Sequence, residues 1–205
     1  MLKPKKYGNF KSLGKGKEKQ QIVLCHSSRE VGEYLTSLKF RLNGKYTKLP
    51  HYVVTKEGEI LQLIDEKGYS TYMGGENLDK TTIIVCLENL GWLEKKPLTD
   101  YYINWIGSIY KGKVFEKKWR DYFFWDPYSE EQIIQTGKLC SFLCEELRIK
   151  NKCVGHNTKV EGMNKFEGVS SRSNFDTVYT DLSPAFNFET LIKNIENEQY
   201  TQREI

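Results

Sequence analysis

Thr81-Thr82-Ile83-Ile84-Val85-Cys86-Leu87-Glu88 is the stretch that decides the fold. It is short, β-branched and apolar with almost no alternation, so it predicts a central strand covered on both faces. Ile22-Val23-Leu24-Cys25 has the same character and predicts a second buried strand, with His26 directly after it. Between them Val31, Tyr34, Leu35, Leu38 and Leu42 recur at helical spacing, and Asn43-Gly44 closes that helix. His51–Thr55 and Ile60–Ile64 predict a β-hairpin around Lys56-Glu57-Gly58-Glu59, where Gly58 is free to take positive φ.

Further along, Ser129 is the expected N-cap of a long helix, with Glu130 and Glu131 favourable in its first turn. Ile133, Ile134, Leu139, Phe142, Leu143 and Leu147 supply its apolar face, and Phe188–Glu198 predicts a closing helix. Strands and helices alternate, so the expected class is α/β: a mixed central β-sheet flanked by helices. Residues 21–205 read as one domain with two insertions. The first, about 92–128, is aromatic and holds all four tryptophans; Lys111-Gly112-Lys113 reads as a hairpin turn in it. The second, 157–176, is rich in Gly, Ser and Asn. Residues 1–20 carry many lysines and few apolar side chains, and read as a basic flexible tail.

At 205 residues, 39% hydrophobic and 28% charged, the chain has the composition of an ordinary globular protein. The net charge of +4 is mildly basic and suits an anionic polymer such as a cell wall. No recognition-helix, zinc-finger or RNA-binding pattern supports a nucleic-acid partner. No apolar run is long enough to span a membrane, and the lysine-rich start does not read as a secretory signal. The five cysteines are odd in number and lack framework spacing, so a reducing compartment is the simpler expectation.

The chain has only three histidines. His26 ends an expected central strand, His156 follows Gly155 at a strand-to-loop junction, and Asp181 stands in Thr180-Asp181-Leu182-Ser183-Pro184-Ala185-Phe186. Two nitrogens and one oxygen from separate element ends form the ligand set of a catalytic Zn²⁺, with a fourth position open to water.

The order Ile22–Ser27, His51-Tyr52-Val53-Val54 with Glu57-Gly58, Ile83–Glu88, Gly155-His156 and Thr180–Phe186 resembles the zinc-dependent N-acetylmuramoyl-L-alanine amidases, a family similar to the peptidoglycan recognition proteins. The resemblance implies hydrolysis of the amide between N-acetylmuramic acid and L-alanine in peptidoglycan, with zinc on His26, His156 and Asp181. Alignment on the following serine puts Cys25 in the first ligand position instead, so that alternative stays open. The family's helper residues are replaced: Pro50 and Tyr179 stand where a Tyr and a Lys are common. Glu88 is then the candidate proton shuttle, Tyr179 or Arg172 the oxyanion donor, and His51 a substrate contact. The resemblance further implies a phage-type endolysin, made in the cytoplasm and acting on the wall after release or delivery. Its rivals are a peptidoglycan-binding module that does not cut and a virion component attached to other protein subunits.

Overall fold

In the computed structural model, which describes residues 4–202, the apolar runs become the middle of a six-stranded mixed sheet. Its strands in chain order are β1 (Lys5–Lys6), β2 (Gln21–His26), β3 (Tyr52–Val54), β4 (Ile60–Gln62), β5 (Thr82–Leu87) and, much later, β11 (Gly168–Ser171). Their spatial order is β1-β4-β3-β5-β2-β11. β2 pairs in parallel with β5 on one side and β11 on the other, so both faces of β2 and β5 need cover. Every residue of β2, β5 and β11 is buried.

Helix α1 (Val31–Phe40) covers one face, where Tyr34, Leu35 and Leu38 pack with Val23, Cys25, Ile84 and Cys86. It ends in a tight turn, Arg41–Gly44, in which Leu42, Asn43 and Gly44 take positive φ. A short helix, α2 (Glu76–Thr81), leads into β5. Helices α3 (Glu130–Glu146) and α4 (Phe188–Gln202) cover the other face, where Leu139, Leu143 and Leu191 pack with Ile22, Leu24, Ile83 and Val85. Ser129 caps α3 as expected, its hydroxyl accepting from the Gln132 N–H at 3.1 Å. The hairpin is also as expected: β3 and β4 are antiparallel, and Gly58 sits at φ +84. A Cβ at Gly58 would come within 2.9 Å of Glu131 and Gln135 on α3.

The aromatic insertion forms a sheet of its own. β6 (Trp92–Lys95), β7 (Tyr102–Ile103), β8 (Ile109–Tyr110), β9 (Phe115–Trp119) and β10 (Tyr122–Trp125) lie in the order β8-β7-β6-β10-β9. Its rings pack mostly on each other: Trp92 stacks on Tyr122 at 4.6 Å and Trp119 tilts against Trp125 at 5.5 Å. Lys111-Gly112-Lys113 is not a hairpin turn, because β8 and β9 lie at opposite edges of this sheet.

Two other stretches differ from expectation. Residues 5–20 run along the main sheet rather than away from it. β1 pairs with β4, and the buried Lys19 ammonium donates to the carbonyls of Gly68 (2.8 Å) and Lys80 (3.1 Å). Residues 157–176 are not simply an insertion, since they contain β11, a strand of the main sheet beside β2. Gly168 has φ +137 there and passes so close to the Lys152 carbonyl that a Cβ would lie 2.4 Å from it. Among the described residues no helix is long and apolar enough to cross a membrane.

Candidate functional site

β2 and β11 run parallel, so the residues that follow them emerge at the same end of the sheet, where open α/β sheets place their ligands. His26 is the last residue of β2, and Arg172 immediately follows β11. Both line a cleft of about 220 Å³, together with Arg29, Tyr34, Arg41, Lys48, Tyr72, Trp105 and Tyr179. No carboxylate is among the lining residues, whereas four side chains there are cationic.

Asp181 lies directly behind Arg172. Its side chain is 1% exposed, and both of its oxygens accept from the guanidinium: Nε to Oδ2 at 2.8 Å and Nη2 to Oδ1 at 2.9 Å. This is the fork geometry that makes Arg–carboxylate pairs strong and directional. Burial works against the charge of Arg172, yet Asp181 together with Tyr72 and Cys25 outweighs it, and the guanidinium is held more firmly protonated than usual. The plane of Arg172 also rests 4.4 Å from the ring centre of Tyr179 and 5.6 Å from that of Tyr72.

His26 is buried, and its Nδ1 shares a hydrogen bond with the Tyr128 hydroxyl at 3.2 Å. The Cε1–Nε2 edge of the ring lies against Gly91, where a Cβ would come within 2.9 Å of Cε1. Burial lowers the His26 pKa and Asp181 only partly offsets this, so the ring is neutral. Cys25 points to the other face of β2. Its Sγ is 3.1 Å from the Tyr72 hydroxyl, and burial, with Cys86 beside it, pushes the thiol pKa well above the usual range.

The remaining expected site residues do not reach the cleft lining. His156 is exposed on the loop before β11, and its Nδ1 accepts from the Thr158 N–H at 3.2 Å. His51 is wholly buried, and its Nδ1 accepts from the Ile84 N–H at 3.0 Å. Burial, aided by Lys19, pulls its pKa down to about 3. It is therefore a core residue of the sheet and not a substrate contact. Glu88 is buried too, its oxygens accepting from the backbone N–H of Val31 (2.7 Å) and of Lys56 (3.0 Å). It anchors the start of α1, where an anion suits the helix dipole, and both oxygens are engaged away from any water in the cleft.

The structure thus brings together His26, Arg172, Tyr179 and Asp181, and leaves out His156, His51 and Glu88. Sequence reading missed Tyr72, which separates Cys25 from the cleft, and Arg29, Arg41 and Lys48, whose clustering only the fold reveals. From the insertion, Trp105 reaches the cleft: it stacks under Arg29 at 4.7 Å, and its Nε1 donates to the Ser28 carbonyl.

The expected zinc set does not fit this arrangement. Among the described residues no three His, Cys, Asp or Glu side chains are grouped to hold a metal. Asp181 gives both oxygens to Arg172, Cys25 is a buried thiol behind Tyr72, and His156 stands apart on its exposed loop.

A sequence profile of the N-acetylmuramoyl-L-alanine amidases matches residues 15–166. The chain belongs to the N-acetylmuramoyl-L-alanine amidase family. Solved structures share the fold. Escherichia coli AmiD, in complex with anhydro-N-acetylmuramic acid-L-Ala-D-γ-Glu-L-Lys, superposes with a TM-score of 0.57 at 16% identity over 90% of this chain and 60% of AmiD. LysC from Clostridium intestinale gives 0.53 at 9% identity, covering 96% of this chain and 99% of LysC. Pseudomonas aeruginosa AmpDh3, in complex with an anhydromuramic pentapeptide, gives 0.54 at 13% identity, covering 95% of this chain and 66% of AmpDh3. This chain therefore spans 60% of the length of AmiD and 66% of that of AmpDh3. No curated protein matches it. The family match ends at residue 166, before β11, Arg172 and Asp181.

Proposed function

We propose that this amidase-family chain takes a muramyl peptide of peptidoglycan into the cleft between Trp105, Tyr72 and Tyr179 and acts on the amide that joins muramic acid to L-alanine. The observation that carries the reading is the sign of the cleft. Arg29, Arg41, Lys48 and Arg172 line it without a carboxylate. A stem peptide containing γ-linked D-glutamate exposes free carboxylates along its length, and clustered cations in a partly enclosed groove attract such a ligand.

Hydrolysis of that amide is the family's reaction. The chain's own residues support it in two ways. Arg172 and Tyr179 lie side by side at the cleft wall and can donate to the oxygen of a scissile carbonyl as negative charge develops on it. His26, neutral and at the wall, is a proton acceptor of the right kind. The zinc dependence that the resemblance implies would be the family's way of activating water. The donor set here does not match it, since both Asp181 oxygens are held by Arg172. The finest form of the proposal is an endolysin acting on the host wall, and it rests on the sequence resemblance.

A second reading, recognition of peptidoglycan without cleavage, is favoured by the engagement of both Asp181 oxygens by Arg172. One assay separates the two. Purified chain is incubated with N-acetylmuramoyl-L-Ala-D-γ-Glu-L-Lys, and free tripeptide and retained ligand are both measured. Release of tripeptide supports the amidase; retention without release supports the recognition module. Neither release nor retention rejects both.

A further inference from the structure

We infer that Arg172 is the resident cation of this cleft: it holds the place opposite Asp181 that a metal ion would need, so that handling of the muramyl peptide is independent of divalent metal. The inference rests on the muramyl-peptide reading above and goes beyond it by naming the group that grips the ligand.

Three independent observations carry it. The first is position. β11 lies beside β2 in parallel register, Ser171 opposite Leu24, so the residue after β11 emerges next to the end of β2. In this chain that residue is Arg172 and not a metal ligand. The second is saturation. Asp181 is almost wholly buried and spends both oxygens on one guanidinium, so a metal could bind it only by breaking two charge-assisted hydrogen bonds and leaving a half-buried guanidinium without its counter-charge. The third is what remains free. Nε and Nη2 are spent on Asp181, whereas Nη1 has no hydrogen-bond partner among the described residues, and the side chain lines the cleft. Stacking on Tyr179 and Tyr72 fixes the plane of the guanidinium, so its free edge is pre-aimed. A carbonyl or carboxylate oxygen of a muramyl peptide is the complementary ligand.

The test has two arms on the full chain. In the first, the protein is loaded with ZnCl₂, desalted, and its zinc counted alongside Asp181→Asn. The expected result is no zinc that depends on Asp181. About one zinc per chain, lost in Asp181→Asn, would overturn the inference. In the second, binding of N-acetylmuramoyl-L-Ala-D-γ-Glu-L-Lys is titrated in EDTA and in ZnCl₂. Affinity should agree within about twofold, and Arg172→Gln should weaken it about tenfold or more, the scale of one hydrogen bond to a charged group. Tenfold weaker binding in EDTA, or unchanged binding in Arg172→Gln, would contradict it. Should Arg172→Gln fail to fold, Arg172→Gln/Asp181→Asn replaces the ion pair with a neutral one and is held to the same expectation. If the wild-type chain binds no muramyl peptide in either buffer, the functional reading fails, while the zinc count still decides what Asp181 holds.

Discussion

Two buried carboxylates, Asp126 and Asp181, are equally withdrawn from water, each 1% exposed, yet the protein treats them differently. Asp126 is met from several directions. It accepts from the Leu90 N–H at 2.8 Å, from the Tyr110 hydroxyl at 2.8 Å and from Lys56 at 3.0 Å. These donors come from the end of β5, from the aromatic insertion and from the β3–β4 turn, so Asp126 works as a clamp that ties the second sheet to the first. Asp181 is met by one side chain only among the described residues, and that side chain faces the cleft. A carboxylate satisfied by backbone and neighbouring loops is structural. One satisfied by a single cation with a free edge toward a groove holds that cation in place for a ligand.

The comparison is most severely tested by removing the clamp. Asp126→Ala takes the acceptor from the buried Leu90 N–H and leaves Lys56 only Glu30, 3.8 Å away, and should cost about 3–5 kcal/mol of folding stability, read by urea denaturation. A loss below 1 kcal/mol would mean that Asp126 ties nothing together. Arg172→Gln leaves Asp181 as a buried charge and should cost about 2–4 kcal/mol; Asp181→Asn in the same chain should recover most of it. Failure of the second change to recover stability would show that Asp181 has another partner.

Acid gives a graded test. His26 and His51 are both kept neutral by burial, so their folded-state pKa values lie below the ordinary value near ~6.5. The unfolded chain therefore binds more protons as the pH drops. Stability should be full above ~6.5 and fall below it by about 1.4 kcal/mol per pH unit from His51, which contributes down to about 3, with His26 adding in the same direction. Chemical denaturation at pH 7.0, 6.0 and 5.0 measures the slope, and a flat profile would contradict the burial of both rings. The smallest expected effect is at the rim. Trp105→Ala should change stability by under about 0.5 kcal/mol, since the residue is 43% exposed at the rim, yet weaken muramyl-peptide binding by about 1 kcal/mol.

The sequence revealed the fold wherever the signal was local. The apolar runs at Ile22–Cys25 and Thr81–Glu88, the Gly58 hairpin and the Ser129 cap each carry their own physical signature, and the structure holds them where expected. It failed at β11. Gly168-Val169-Ser170-Ser171 has one apolar side chain, and it is buried because β2 offers it a pairing edge, a reason found far away in the chain. With that strand hidden, residues 157–176 read as an insertion and His156 looked like the residue at the strand end. The strand end belongs to Arg172. Of the candidates named from sequence, His26, Arg172 and Tyr179 lie at the cleft wall with Asp181 behind Arg172, whereas the cationic lining formed by Arg29, Arg41 and Lys48 appears only once α1 and its terminal turn are folded against the sheet.

Crystals grown in zinc and measured at the zinc absorption edge address the cation directly. The account predicts a planar guanidinium bridging both oxygens of Asp181 and no anomalous peak beside them. A peak about 2.0–2.2 Å from a carboxylate oxygen of Asp181, with Arg172 turned away, would contradict it.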